Sequence, residues 1–224
     1  MEDFSLINKR TLHYLTGGIL LLVLADIINY IVGMPFRTIT RFISLNAESC
    51  IPAWYSSLLL AMAGLLSLQC FNYGKRKGVG RHWAFLLLAG LLFFMSCDEI
   101  AQFHERTGRV IAVLIARYSG MPLVKRWVWV GGPIIVGVFL GIIGLLRRPL
   151  CLVRRSGLLL VIGFSLIFLG GVILEANAYF ILPIYYDLEW ARKTTFVLEE
   201  SFEMIGTIFV AHSLVMWRDK TRQL

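Results

Sequence analysis

The chain has 224 residues, of which 58% are hydrophobic and only 16% charged, and its mean hydropathy is +0.73. Soluble domains contain about 45–50% apolar and about 25% charged residues, so this composition excludes an ordinary soluble protein and indicates an integral membrane protein. The net charge of +8 is attributed to loops, where Lys and Arg orient membrane helices. Mixed aromatic and basic clusters that bind single strands are missing from the sequence, so we expect no nucleic-acid partner.

Six apolar segments are long enough to cross a bilayer, which takes about 20 residues. In hydrocarbon these segments must be helices, because a lone strand would leave its backbone groups unpaired. We therefore predict an all-α fold, a polytopic membrane helix bundle of about six transmembrane helices plus short interfacial helices, in one domain over residues 1–224. The predicted spans are 13–33, 51–71, 83–104, 127–146, 156–176 and 195–216.

Shorter elements are expected between the spans. Residues 37–48 form an amphipathic connection, and Pro52 suits the first turn of the second helix. Residues 110–116 are too few to span and are predicted to form an interfacial or re-entrant helix. The loop at 177–194 is rich in aromatic residues and is expected to cover the outer side. The four cysteines are scattered without a Cys-x-x-Cys pair, so we expect reduced thiols.

The distribution of charge predicts the orientation. With the N-terminus inside, thirteen of the 22 Lys and Arg residues lie on the inner side, so the positive-inside rule favours two cytoplasmic termini. Only Glu2, Asp3 and Asp219 of the 14 acidic residues then lie inside. The other eleven come from several helices and lie on the outer side, which predicts a single outward-facing polar site.

The stretch from Met95 to Gly108 is the most unusual one, because an apolar span ends there in ionisable residues. Charged groups at membrane depth are costly and indicate function. The last span repeats the pattern at its start with Glu199 and Glu200, where the positive end of the helix dipole alone is a sufficient explanation. Near helix C-termini the dipole opposes carboxylates, and four acids are predicted there: Asp98, Glu99, Glu105 and Glu175.

Helical angles of about 100° per residue group the candidates further. Gln102 and Glu105 fall on the face of Asp98, whereas His104 joins that face only if the helix unwinds before Gly108. On the last helix, Glu199, Glu203, Gly206 and Thr207 share one arc, with Glu200 at its edge. Gly206 would let another backbone approach beneath the carboxylates. Asp26 and Glu48 are further polar candidates, each with a simple interfacial or helix-end explanation.

Packed carboxylates cannot all stay ionised without cations. Three ways of neutralising the carboxylates remain open. A divalent metal binds the acids together with His104, although the Glu-x-x-His spacing of di-iron bundles and His-Glu-x-x-His are both absent. Protons neutralise some of them, as in proton-coupled carriers. A structural network pairs them with basic residues, the candidates being Arg106, Arg109, Arg192 and Lys193.

Three stretches together resemble a family of uncharacterised bacterial multi-pass membrane proteins. They are Asn46-Ala-Glu48 with Pro52-x-Trp54-x-Ser56-Ser57, Ser96-x-Asp98-Glu99 with His104-Glu105, and Leu198-Glu-Glu-x-x-Glu203-Met-x-Gly206. That family usually has Leu where this chain has Cys97. The resemblance implies a bacterial envelope protein and groups the three motifs, but it implies no reaction.

We therefore expect a bacterial inner-membrane protein, and the leading hypothesis is a metal-dependent membrane enzyme acting on a lipid-like or interfacial substrate. Its metal ligands would be Glu99, Glu175, Glu199, Glu200 and Glu203, and its catalytic acid–base residues Asp98, His104 and Glu105. Oxygen-rich ligation favours Mg, Ca, Mn or Fe. The alternatives are a proton- or cation-coupled transporter and an accessory subunit of a membrane complex. Expected partners are the lipid bilayer and a membrane protein or second copy.

Overall fold

The structure is a computed structural model that describes residues 7–45, 47, 50–119, 127–174 and 188–223. A 3₁₀ turn (Cys151–Val153) joins two of the α-helices, and a π-helical turn (Leu169–Leu174) extends the second of them. No strand occurs among the described residues, so the predicted all-α fold class is confirmed there. The α-helices of this part of the chain are α1 (Lys9–Ile31), α2 (Arg37–Ile43), α3 (Ile51–Arg76), α4 (Ala84–Ala101), α5 (Phe103–Ser119), α6 (Trp127–Leu150), α7 (Arg154–Phe168) and α8 (Glu189–Gln223).

Local signals in the sequence explain several helix ends. The Asn8 side chain accepts a hydrogen bond from the Thr11 backbone N–H at 3.0 Å, and the Thr11 hydroxyl oxygen accepts one from the Asn8 N–H at 3.4 Å, which forms a capping box at the start of α1. Pro52 lies in the first turn of α3, as predicted. The connection at 37–48 contains the helix α2 but is helical only to Ile43.

Two pairs of serines join neighbouring helices through the same geometry. The Ser57 hydroxyl on α3 donates to the Ser96 carbonyl on α4 at 2.8 Å, and the Ser96 hydroxyl donates to the Ser57 carbonyl at 2.9 Å. Ser156 on α7 and Ser213 on α8 repeat this exchange at 2.9 and 2.7 Å. All four serines are buried, where no water reaches them, so these hydrogen bonds satisfy polar groups that would otherwise have no partner.

The core lies between α3, α4, α7 and α8, where Leu66, Phe85, Leu160 and Trp217 have almost no exposed surface. On the outside many large apolar side chains face away from the protein. Leu21, Leu140 and Leu158 are each more than 60% exposed on different helices. So many exposed large apolar side chains are unusual on a soluble monomer and suit contact with lipid.

Each of the six predicted spans overlaps a described helix, although the span 83–104 runs past the end of α4 at Ala101 and residues 175–176 are not described. Within the described residues, four stretches are long and apolar enough to cross a membrane, namely Lys9–Ile31, Ile51–Arg76, Ala84–Ala101 and Pro133–Leu174. The last of these contains α6 and α7, whose Phe139 and Phe164 rings lie 4.7 Å apart, so the chain reverses between them. α8 is outside these four. Six membrane crossings therefore stay a prediction, and four spans are supported by length and composition.

One end of the bundle collects the basic connections, and we call it the basic end. There α1, α4 and α7 begin and α3, α6 and α8 finish. The Arg218 guanidinium on α8 is only 3% exposed and donates to the Gln69 side chain at 2.8 Å and to the Ile7 carbonyl at 3.1 Å. The Trp217 indole N–H donates to the Pro149 carbonyl at 2.8 Å. These bonds tie the ends of α3, α6 and α8 to the start of the chain.

Candidate functional site

The opposite end of the bundle, which we call the acidic end, contains the carboxylates that the sequence singled out. Three of them, Glu199, Glu200 and Glu203, are half-buried on α8. This helix begins at Glu189 and not at residue 195 as predicted. Glu199 therefore lies nearly three turns inside the helix, whereas the dipole effect fades within the first turn. The explanation of Glu199 and Glu200 as helix-start acids is wrong, and the burial of these side chains needs another reason.

Close approach of two backbones places Glu199 and Glu203 against the end of α7. A Cβ atom added to Gly171 would lie 2.6 Å from Glu203 Oε1, and one added to Gly170 would lie 2.7 Å from the Glu199 carbonyl oxygen. Both glycines belong to the π-helical turn, a feature that is frequent at functional sites. A larger residue at position 171 would displace the Glu203 carboxylate.

A second glycine contact lies one turn deeper. A Cβ on Gly206 would lie 2.6 Å from the Gly163 carbonyl oxygen, and a Cβ on Gly163 would lie 2.7 Å from the Gly206 carbonyl oxygen. The prediction that Gly206 allows a backbone to approach beneath the carboxylates is confirmed. The arc of Glu199, Glu203 and Gly206 thus faces α7, and Glu199 Oε2 is buried from solvent.

Cys50 links the acids of α4 with those of α8. Its side chain accepts from the Ala53 N–H at 3.4 Å as the N-cap of α3, and the residue is only 2% exposed. Burial raises the pKa of the Cys50 thiol, and the negative charges of Glu200 and Glu99 raise it further. Both acids therefore act electrostatically on the start of α3, Glu99 from α4 and Glu200 from α8. α3 packs against both of these helices.

The end of α4 differs from the prediction. Gln102 has a left-handed backbone conformation (φ 54°, ψ 41°), and its N–H donates to the Asp98 carbonyl at 2.6 Å. A new helix, α5, begins at Phe103. The extrapolation of helical angles from Asp98 through residue 104 is therefore wrong, because the span ends at Ala101. The prediction of a helix at 110–116 is confirmed, as part of the longer α5.

Asp98 and Glu99 are half-buried beside Ser96, whose hydrogen bonds to Ser57 fix the end of α4 on α3. We call five acids together the carboxylate cluster: Asp98, Glu99, Glu199, Glu200 and Glu203. Each of them takes part in a hydrogen-bonding or electrostatic interaction. The cluster comes from two helices, α4 and α8, that both pack against α3.

Asp26 has a basic partner. The residue is 1% exposed in α1, and the Lys193 ammonium on α8 donates to both of its carboxylate oxygens at 2.7 and 2.6 Å. Lys193 is ten residues before Glu203, a distance of about 15 Å along the helix. Of the three ways of neutralising carboxylates that the sequence left open, pairing with a basic residue applies to Asp26.

Several predicted site residues lie outside the described part of the chain. Glu48 and Glu175 belong to segments that the structure does not describe, as does most of the loop at 177–194, and the same holds for the side chains of His104 and Glu105. Among the residues that are described, no group of three or more His, Cys, Asp or Glu is arranged to hold a metal. All four cysteines are free thiols, as predicted.

Sequence reasoning missed two structural features of this end. The exchange of hydrogen bonds between Ser57 and Ser96 was not foreseen, although both serines stand in the motifs quoted above. The close approach of Gly170 and Gly171 to α8 was not predicted either, because it depends on the π-helical turn. A Gly-Gly pair four to five residues before an acid at a span end is the signal that would have drawn attention to it.

Over its described residues the chain is therefore an all-helical bundle, with four stretches of membrane-spanning length and apolarity and a cluster of acids at one end. Residues 14–217 match a family described as a domain of unknown function (DUF8692), and the chain belongs to that family. This agrees with the resemblance to an uncharacterised family. No curated protein and no solved structure matches the chain.

Proposed function

We propose that the protein is a multi-pass inner-membrane protein of bacterial type whose carboxylate cluster faces outward and binds a divalent cation. In the leading form of this proposal it is a metal-dependent membrane enzyme acting on a lipid-like or interfacial substrate. The observation that carries the proposal is the position of Glu203. Its carboxylate lies against Gly171 in a π-helical turn, where a side chain on residue 171 would occupy the same space.

Electrostatics support a bound cation. Glu199, Glu200 and Glu203 lie within five residues of one helix, and Glu99 acts on the charge of the same thiol, Cys50, as Glu200 does. Packed carboxylates either take up protons or require cations to stay ionised. Carboxylate oxygens suit Mg, Ca, Mn or Fe. In this proposal Glu99, Glu199 and Glu203 are ligands, and Glu200, His104 or Glu175 completes the set. Binding requires the side chains to draw together around the ion, because no three of the described acids are already arranged to hold a metal.

The remaining residues have acid–base roles in the proposal. Asp98 precedes the left-handed Gln102 at the mouth of the cluster, and Glu105 follows at the start of α5. A cation held by the cluster would supply Lewis-acid chemistry, and a neighbouring carboxylate would serve as the general base that takes up a proton from water or from a substrate hydroxyl. An apolar exterior next to the cluster lets a lipid-like substrate approach from the bilayer.

Transport is the second candidate function, favoured by the π-helical interruption of α7, since carriers use interrupted helices to bind ions. A transporter would also need polar groups that continue from Glu203 towards the basic end. The Thr207 hydroxyl donates to the Glu203 carbonyl, and the Ser213 hydroxyl donates to Ser156. These polar groups are used within the protein, and they offer no free chain of groups from Glu203 to the basic end. Enzyme function therefore ranks first.

Thermal unfolding of the detergent-purified protein with added Mg, Ca, Mn or Fe tests the proposal. One of these ions should raise the melting temperature of the wild type, since a ligand at 100 times its Kd stabilises by about 2.7 kcal/mol. Glu203→Gln and Glu99→Gln should lose that gain, and Glu189→Gln, an exposed acid at the start of α8, should keep it.

Each other result has a defined meaning. If no ion stabilises the wild type but Glu203→Gln changes proton uptake, the transporter replaces the enzyme. If the Gln variants unfold regardless of ions, the cluster is structural and the protein is an accessory subunit.

A further inference from the structure

An open cleft of ≈ 460 Å³ lies at the basic end, opposite the carboxylate cluster. Three parts of the chain meet around it: the turn from α3 to α4, the turn from α6 to α7 and the last turn of α8. Its lining residues are Lys77, Gly78, Val79, Gly80, Arg148, Leu152 and Thr221.

The chemistry of this cleft suits an anion. Lys77 follows α3 and Arg148 lies in the last turn of α6, and both are exposed cations. No acid is among the described residues that line the cleft. Arg147 and Lys75, which lie beside them in sequence, add to the positive potential. Gly78 has a positive φ of 66°, and a Cβ atom on Gly78 or Gly80 would meet nothing within 4 Å, so this side of the cleft is open.

A buried hydroxyl gives the second and independent observation. Thr221 is one of the lining residues but is only 1% exposed, and its buried Oγ1 atom has no hydrogen-bond partner among the described residues. A buried polar group without a partner costs about 1–3 kcal/mol. If the Thr221 side chain turned towards the cleft, a ligand oxygen would accept a hydrogen bond from the hydroxyl and remove that cost.

We propose that this cleft binds a phosphate group, with Arg148 and Lys77 pairing with its oxygens and Thr221 donating a hydrogen bond. Guanidinium, ammonium and hydroxyl groups are all donors, and phosphate oxygens are strong acceptors. Basic clefts between membrane helices at the cytoplasmic side bind anionic lipid headgroups. Val79 and Leu152 at the rim give the glycerol and first methylenes of such a lipid an apolar surface. The same chemistry also accepts free phosphate.

The experiment compares two sources of phosphate on the full-length protein. In one arm, protein in phosphatidylcholine nanodiscs receives increasing phosphatidylglycerol, and lipid retained on the protein is counted by native mass spectrometry. In the other, inorganic phosphate is titrated into protein in a nonionic detergent while the melting temperature is followed. Saturation with about one phosphatidylglycerol per chain assigns the lipid headgroup, and saturation with inorganic phosphate alone assigns the free ion.

Matched variants keep the result specific to the cleft. Lys77→Gln and Arg148→Gln should each weaken binding by about fivefold. Lys75→Gln and Arg147→Gln remove the same charge from neighbouring positions outside the lining and should weaken binding by less than twofold. Equal losses in all four variants would overturn the proposal, because they would show general attraction of anions to a basic surface.

Thr221→Val separates binding from folding. It removes the buried hydroxyl and keeps the shape, so the protein without phosphate should be as stable as wild type or more stable. Its affinity for the bound phosphate source should fall several-fold. Lower stability without a change in affinity would give Thr221 a purely structural role and would contradict the proposal, as would failure of both phosphate sources to saturate. None of these results bears on the carboxylate cluster at the other end.

Discussion

Loss of the Lys193 ammonium should destabilise the protein far more than loss of a neighbouring charge. Lys193 Nζ lies 2.7 and 2.6 Å from the two oxygens of Asp26, which is 1% exposed, whereas the Lys193 side chain is 19% exposed. At an effective dielectric constant near 20, unit charges this close attract by about 6 kcal/mol. Desolvation of both groups offsets much of this, but a buried charge that loses its partner typically costs about 3–5 kcal/mol.

We therefore expect Lys193→Met to lower the free energy of unfolding by about 3 kcal/mol. Asp26→Leu should cost about 2 kcal/mol, because the partly exposed Lys193 can extend towards water. The double variant should recover most of the loss, since two apolar residues replace the pair. The coupling free energy from the double-mutant cycle then measures the ion pair directly.

Unfolding in detergent by added sodium dodecyl sulfate, followed by helical circular dichroism, measures these differences. Arg192→Met is the matched control, because Arg192 is an exposed neighbour on the same helix and should change stability by less than about 0.5 kcal/mol. The account of the pair would be refuted if Lys193→Met behaved like Arg192→Met, or if the effects of the two single substitutions simply added.

Two further predictions concern the acidic end. Gly171→Ala should move the flexible Glu203 carboxylate and weaken divalent-cation binding by about tenfold with little loss of stability, as measured by ion-dependent melting. Gly90→Ala, whose Cβ meets nothing within 4 Å, should leave binding unchanged, and equal behaviour of the two variants would contradict the assigned position of Glu203. Because the pKa of Cys50 is raised by burial and by neighbouring carboxylates, less thiolate is present at a given pH. Its alkylation by iodoacetamide, followed by peptide mass spectrometry, should therefore need a higher pH than that of the exposed Cys151. Identical pH profiles for the two thiols would refute this.

The sequence allowed the helical class and the four long apolar stretches to be predicted, because apolar length is a direct requirement of the bilayer. It also identified the acids of α8 and the face shared by Glu203 and Gly206. The start of α8 was missed because its first two turns, from Glu189, are polar and do not count towards an apolar window. The end of α4 was missed because a left-handed Gln102 has no strong local signal.

Partners distant in sequence were the hardest to predict. Arg218 counted only as a cation of the inner side, yet it is buried and bonded to Gln69 and to the Ile7 carbonyl. Asp26 was explained from the sequence as an interfacial acid, whereas in the structure it forms an ion pair with Lys193. Such pairs depend on how helices rotate and pack, and periodicity within one helix does not contain that information.

The central claim, that the carboxylate cluster binds a divalent cation, is tested most directly by the metal content of the purified protein. Elemental analysis by plasma mass spectrometry, after purification without chelators, should find close to one Mg, Ca, Mn or Fe per chain. The content should drop in Glu99→Gln and Glu203→Gln and persist in Glu189→Gln. Wild-type protein that contains none of these metals, and takes none up when each is supplied in excess and then dialysed away, would contradict the account.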